Sequence, residues 1–161
     1  MRAAVLFSGI GGWELAAEQL GVDTVWAAEW DQWKALRYRE RFPGVRLYRD
    51  VRALHGPEMI AAHGRLDFLL GSPPCTDISS ANHRAQGVGG EASRHYFEAI
   101  RLVGEIRPRW CAFENSDKLR ARGADRVLAE LEKIGSHPRP ACAAAYAPRL
   151  SSLLTAAVRL Q

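Results

Sequence analysis

Short apolar runs alternate along the chain with stretches of helical period, and this alternation limits the possible folds more than any other feature. The runs are AAVLF (3–7), TVWAAEW (24–30), VRLY (45–48), LDFLL (66–70) and WCAFEN (110–115). Trp13, Ala16, Ala17 and Leu20 fall at i, i+3, i+4 and i+7, which predicts a helix closed by Gly21. Residues 33–42 predict a second helix, ending at Pro43-Gly44. Two more are predicted over 94–107, with Phe97, Ile100 and Val103 on one side, and over 125–134, with Val127, Leu128, Leu131 and Ile134. Strands joined through helices require right-handed crossovers, so the expected fold is α/β with a mostly parallel sheet. Ligands then bind outside the carboxyl ends of the strands. That edge collects SGIGG (8–12), Glu29-Trp30, Pro74-Cys75 and Glu114-Asn115.

At 161 residues and 47% hydrophobic content, one domain with a real core is expected. No apolar run reaches the roughly 20 residues of a membrane span, and Met1-Arg2 leads into a strand rather than a signal peptide. Cys75, Cys111 and Cys142 form no CxxC pair, and the five histidines show no ligand spacing. This argues against a disulfide framework or a zinc site and for a reducing cytoplasm, with no membrane and no metal as partners. The net charge of +4 is uneven: residues 135–161 hold three arginines and no acid. The overall charge is therefore weak support for nucleic-acid binding. The local clusters Arg37–Arg52 and Lys118–Arg126 are better candidates, with a solvated basic face as the plainer reading.

Several residues at the ligand edge have chemistry to offer. SGIGG joins a strand to a helix, so its backbone can pass close to a ligand, and the helix N-terminus favours negative charge. Glu29, at the end of the next strand, is placed to accept from ribose hydroxyls. A tight turn and a surface acid are the alternative. The loop is not the spaced GxGxxG of nicotinamide enzymes, which weakens an oxidoreductase reading. Cys75 follows two prolines at the end of LDFLL, where it is either a small core residue or a stiffly held nucleophile. Glu114 at the end of a buried strand needs a partner or a proton, and a protonated carboxyl there could act as a general acid. Capping or ion pairing is the alternative. Asn115 is expected to fix the turn through hydrogen bonds, and Cys111 to be inert core. The segment SANHRAQGVGGEAS (80–93) has the composition of a mobile loop beyond Cys75.

Taken in order, FSGIGGWELA (7–16), AEW (28–30), Asp50, GSPPCTDIS (71–79), SRHYFEAIRLV (93–103) and FENS (113–116) resemble the N-terminal catalytic motifs of DNA cytosine-5 methyltransferases. The resemblance covers about residues 3–134. It implies a Rossmann-like S-adenosylmethionine-dependent methyltransferase fold. Phe7, Ser8, Gly9, Gly11 and Gly12 match the loop that holds S-adenosylmethionine. Glu29 matches the acid on the ribose, Trp30 the residue packed on the adenine, and Asp50 with Val51 the pair that reads the adenine edge. Pro73 belongs to the motif that carries Cys75, which matches the nucleophile adding to C6 of cytosine. Glu114 matches the acid that engages N3 and the exocyclic amine. A duplex hides these ring atoms, so the implied substrate is a cytosine flipped out of DNA.

The pattern also departs from the family. Thr76 stands where glutamine is usual, and His95 occupies a usually apolar position that touches the cofactor. No QxRxR segment, target-recognition region or closing asparagine motif follows residue 134. The chain therefore divides into a cofactor-binding catalytic core, 1–134, and an atypical tail, 135–161. The tail, rich in Ala, Pro and Arg, is either a short replacement or the product of a shifted reading frame, which its composition favours. Marginal stability or dependence on a partner, such as a separate target-recognition polypeptide, is expected. The rival reading is an inactive or split-enzyme fragment that binds only cofactor.

Overall fold

A computed structural model describes residues 1–74, 94–116 and 124–135, and the backbone of 153–159. Cys75, the segment 80–93 and Lys118 to Arg122 lie outside the described residues, as does most of the tail. The strands are β1 (Arg2–Leu6), β2 (Asp23–Ala28), β3 (Arg46–Tyr48), β4 (Phe68–Gly71), β5 (Trp110–Ser116) and β6 (Leu153–Arg159). Helices α1 (Gly12–Gln19), α2 (Gln32–Arg41), α3 (Gly56–His63), α4 (Arg94–Ile106) and α5 (Ala124–Ile134) alternate with them. The sheet order is β3-β2-β1-β4-β5-β6. The first five strands are parallel, and β6 runs antiparallel to β5 from Trp110↔Arg159 to Ser116↔Leu153.

The expected α/β fold with a mostly parallel sheet is present. Ala3, Val5 and Leu6 of β1 are completely buried because helices cover both faces of this central strand. One core lies under α3, α4 and α5, where Leu6, Trp26, Leu69, Tyr96, Leu102 and Leu131 meet. The other lies under α1 and α2, around Val5, Ala27, Ala35, Tyr38 and Leu70. On that second face, Phe68 of β4 and Ala112 of β5 are only half-buried. Among the described residues, no helix is long and apolar enough to cross a membrane.

Three elements depart from the sequence reading. A single 3-10 turn (Val51–Ala53), with the Asp50 carboxylate accepting from Arg52 N–H as its cap, leads into α3. Helix α3 spans only eight residues, opening on Gly56-Pro57, too short for its period to stand out. The tail supplies β6, where the sequence reading named no strand, and β6 pairs along the edge of β5. The face of α1 is also turned from expectation. Ala16 and Leu20 are exposed, and Glu14 is buried with Ala17 against the second core. The helix ends at Gln19, so Leu20 falls at its cap rather than in its apolar stripe.

Candidate active site

Sheet order reverses between β1 and β4, and a crevice outside their carboxyl ends follows from that topology. A cavity of about 780 Å³ lies there. Phe7, Ser8, Gly9 and Gly12 line it from the β1 turn, Glu29 and Trp30 from the end of β2, and Asp50 and Val51 from the end of β3. Ser72 and Pro74 line it beyond β4, and His95 from the first turn of α4.

The β1 turn is built from unusual backbone. Phe7, Gly9 and Gly11 all have positive φ, at 56°, 59° and 99°. For Phe7, a side chain bearing Cβ, this is a strained conformation held by its surroundings, and its ring meets His95 edge-on at 5.8 Å. Gly11 has a second constraint, since a Cβ there would stand 2.0 Å from the Phe42 ring. Removing that atom lets the end of α2 pack against the start of α1.

Glu29 is only 7% exposed. Its Oε2 accepts from Gly9 N–H at 2.7 Å and its Oε1 from Asp31 N–H at 2.7 Å. Each oxygen keeps a further lone pair for a ligand hydroxyl. The same turn starts α2, because the Asp31 side chain caps it through Lys34 N–H at 2.9 Å. Trp30 is 64% exposed, and its ring carries the Arg52 guanidinium at 5.4 Å. Arg52 also forks onto both oxygens of Asp50, at 2.7–3.1 Å, and holds that carboxyl below the usual carboxylate range. Arg49 donates to the Trp30 carbonyl at 2.6 Å.

The β4 and β5 side is fixed by Asn115, which is buried and donates through Nδ2 to the Pro73 carbonyl at 2.8 Å. Pro73 itself is buried, and Pro74 is the proline that lines the cavity. Glu114 is half-buried beside Asn115 on β5. Cys111 is fully buried, in keeping with a core residue. Sequence reasoning missed Trp13, Ser72, Lys34, Arg49 and Arg52 as cavity residues. Trp13 passed for core on helical period, and the arginines for a solvated cluster. Neither pattern shows which side chains turn toward the strand ends.

A family model described as C-5 cytosine-specific DNA methylase matches residues 1–142. The chain belongs to the C-5 cytosine-specific DNA methylase family. Members of this family use S-adenosylmethionine. The chain is 32% identical over 120 residues to the type II methyltransferase M.Bsp6I of Bacillus sp. (strain RFL6), covering 74% of this chain and 37% of that protein. It is 31% identical over 136 residues to the type II methyltransferase M.NgoBI of Neisseria gonorrhoeae, covering 81% and 40%. Its fold is similar to that of S. pombe Dnmt2 methyltransferase, with a TM-score of 0.69, 15% identity and coverage of 99% and 49%. A protein described as a prophage-encoded DNA modification methyltransferase (E. coli) gives a TM-score of 0.76 at 23% identity, covering 99% and 47%. At those identities the likeness speaks to the fold alone. This methylase-family chain thus spans 37–40% of the length of the two curated relatives.

Proposed function

We propose that the chain is the cofactor-binding and catalytic front part of a DNA (cytosine-5)-methyltransferase, with Cys75 as nucleophile and Glu114 as acid. The observation that carries the reading is the Glu29 carboxylate, held by Gly9 and Asp31 N–H at the floor of a cavity bounded by Trp30 and Asp50-Val51. These residues fit S-adenosylmethionine. Gly9 and Gly12 line the cavity, and the space a Cβ would take at either is open to 4 Å. Glu29 would hold the ribose hydroxyls, Trp30 and Phe7 the adenine faces, and Asp50 with Val51 its edge.

Bound there, S-adenosylmethionine supplies an electrophilic methyl group for cytosine C5. The chain's own residues prepare C5 and restore the ring. The Cys75 thiolate forms a bond to C6 while Glu114 holds a proton at N3, which moves electron density onto C5. After C5 is methylated, loss of its proton and departure of the Cys75 thiolate regenerate the aromatic base. Asn115 fixes the Pro73 carbonyl and so steadies the backbone leading to Cys75.

A second reading is a half-enzyme whose target-recognition part is supplied by a separate polypeptide. One assay separates the two readings. The chain is incubated with S-adenosylmethionine and DNA carrying 5-fluorocytosine, alone and with the C-terminal half of a relative. A covalent complex that Cys75→Ser abolishes supports the nucleophile, and trapping that survives this substitution refutes it. Trapping only in the presence of the second polypeptide supports the second reading, in which target recognition is supplied from outside these 161 residues.

A further inference from the structure

Trp13 stands in the first turn of α1, directly after the glycines of the β1 turn. Its indole Nε1–H donates to Ser72 Oγ at 3.0 Å, joining segments 59 residues apart in sequence. Ser72 N–H donates to Leu6 O of β1 at 3.3 Å, and Pro73 O accepts from Asn115 Nδ2 at 2.8 Å. Three hydrogen bonds, from α1, β1 and β5, therefore hold the short link 72–74. Both Trp13 and Ser72 line the cavity beside Gly12 and Glu29.

Burial alone does not require the Trp13 bond. The residue is only half-buried, so its N–H could be solvated, and a phenylalanine ring would fill much of the same packing space. What the N–H adds is orientation. We propose that Trp13 is a positioning residue. Through Ser72 it ties the first turn of the cofactor-side helix to the link 72–74, so that the shape of the cavity and the reactivity of Cys75, next in sequence, are coupled. The inference rests on reading Cys75 as the nucleophile and the cavity as the S-adenosylmethionine site.

The test is a double-mutant cycle in the full 161-residue chain, with Trp13→Phe, Ser72→Ala and both together. Iodoacetamide alkylation of Cys75 is followed across pH by mass spectrometry, with Cys111 and Cys142 resolved as separate peptides. Thermal melts and calorimetric titration with S-adenosylmethionine accompany it. The expected result is that either single variant changes the Cys75 alkylation rate by about fivefold, and the double variant by no more than either single. The midpoint of the pH profile should shift in the same direction in all three. Melting should stay near wild type. Alkylation rates unchanged in both single variants, or effects that simply multiply, would overturn the tie. If Trp13→Phe fails to fold, Ser72→Ala against wild type still decides. A coupled cycle in a wild-type chain that does not bind S-adenosylmethionine would keep the tie and refute the cofactor reading instead.

Discussion

At the residue scale, Glu29 and Glu14 show how differently two buried carboxyls are treated. Glu29 has a backbone N–H on each oxygen. Glutamine there would set its amide nitrogen against one of those N–H groups, donor facing donor. Glu29→Gln should therefore weaken S-adenosylmethionine binding by about tenfold or more in a calorimetric titration, with the fold intact. Glu14 is 2% exposed, and neither of its oxygens completes a hydrogen bond among the described residues. Desolvation by burial raises its pKa from 4.5 to about 7. Folding then takes up a proton between pH 4.5 and about 7, so this group's effect is to lower stability as pH rises through that window, with no further loss above it. Glu14→Gln should abolish that slope and raise stability at pH 8 by about 2 kcal/mol, measured by urea unfolding at several pH values. An unchanged slope would show that the carboxyl is ionised at no cost.

Elements matter here chiefly as holders of turns. Arg101 of α4 donates to the carbonyls of Leu54 and Val51, at 3.0 and 3.2 Å, and pairs with Glu98 and Glu105. Glu105 in turn accepts from Gly56 N–H at 2.7 Å. One guanidinium thus spans α4, the 3-10 turn and the entry to α3, and it fixes the turn that presents Asp50-Val51 to the cavity. A lysine is a point donor and cannot reproduce that fork. Arg101→Lys is expected to lower S-adenosylmethionine affinity about threefold to tenfold, with a smaller effect on melting, as seen by titration and thermal scans together. Loss of melting temperature with affinity untouched would make the network purely structural.

At the scale of the whole molecule, the sheet is closed on one side and less covered on the other. β6 pairs with β5 over seven residues, so its removal would leave the edge of β5 open to other chains. Truncation after residue 152 should lower the melting temperature by about 5 °C or more and promote aggregation, measured by thermal scan with light scattering. An unchanged melt would show that β6 contributes nothing to stability. Among the described residues, the half-buried Phe68 and Ala112 mark where the α1–α2 face has less helical cover than α3, α4 and α5 give the opposite face.

The sequence by itself determined the alternation of strands and helices, the parallel sheet and the edge on which chemistry would gather. Those follow from hydrophobic period and chain connectivity, which are local or nearly so. Gly9, Gly12, Glu29 and Trp30 were legible at that edge for the same reason, whereas Phe7, Asp50 and Val51 entered only through the family resemblance; all seven line the cavity. Only the tertiary structure decided the rest. Glu14 is buried because α1 packs through Ala17 rather than Leu20, and a helical period cannot say which of two adjacent stripes meets the sheet. Arg52 reaches both Trp30 and Asp50 because a turn folds it back. β6 exists because β5 offers a free edge, which no composition of the tail could disclose. Trp13 meets Ser72 because β1 and β4 lie side by side, a neighbourhood created by the crossover and not by any pattern within either segment.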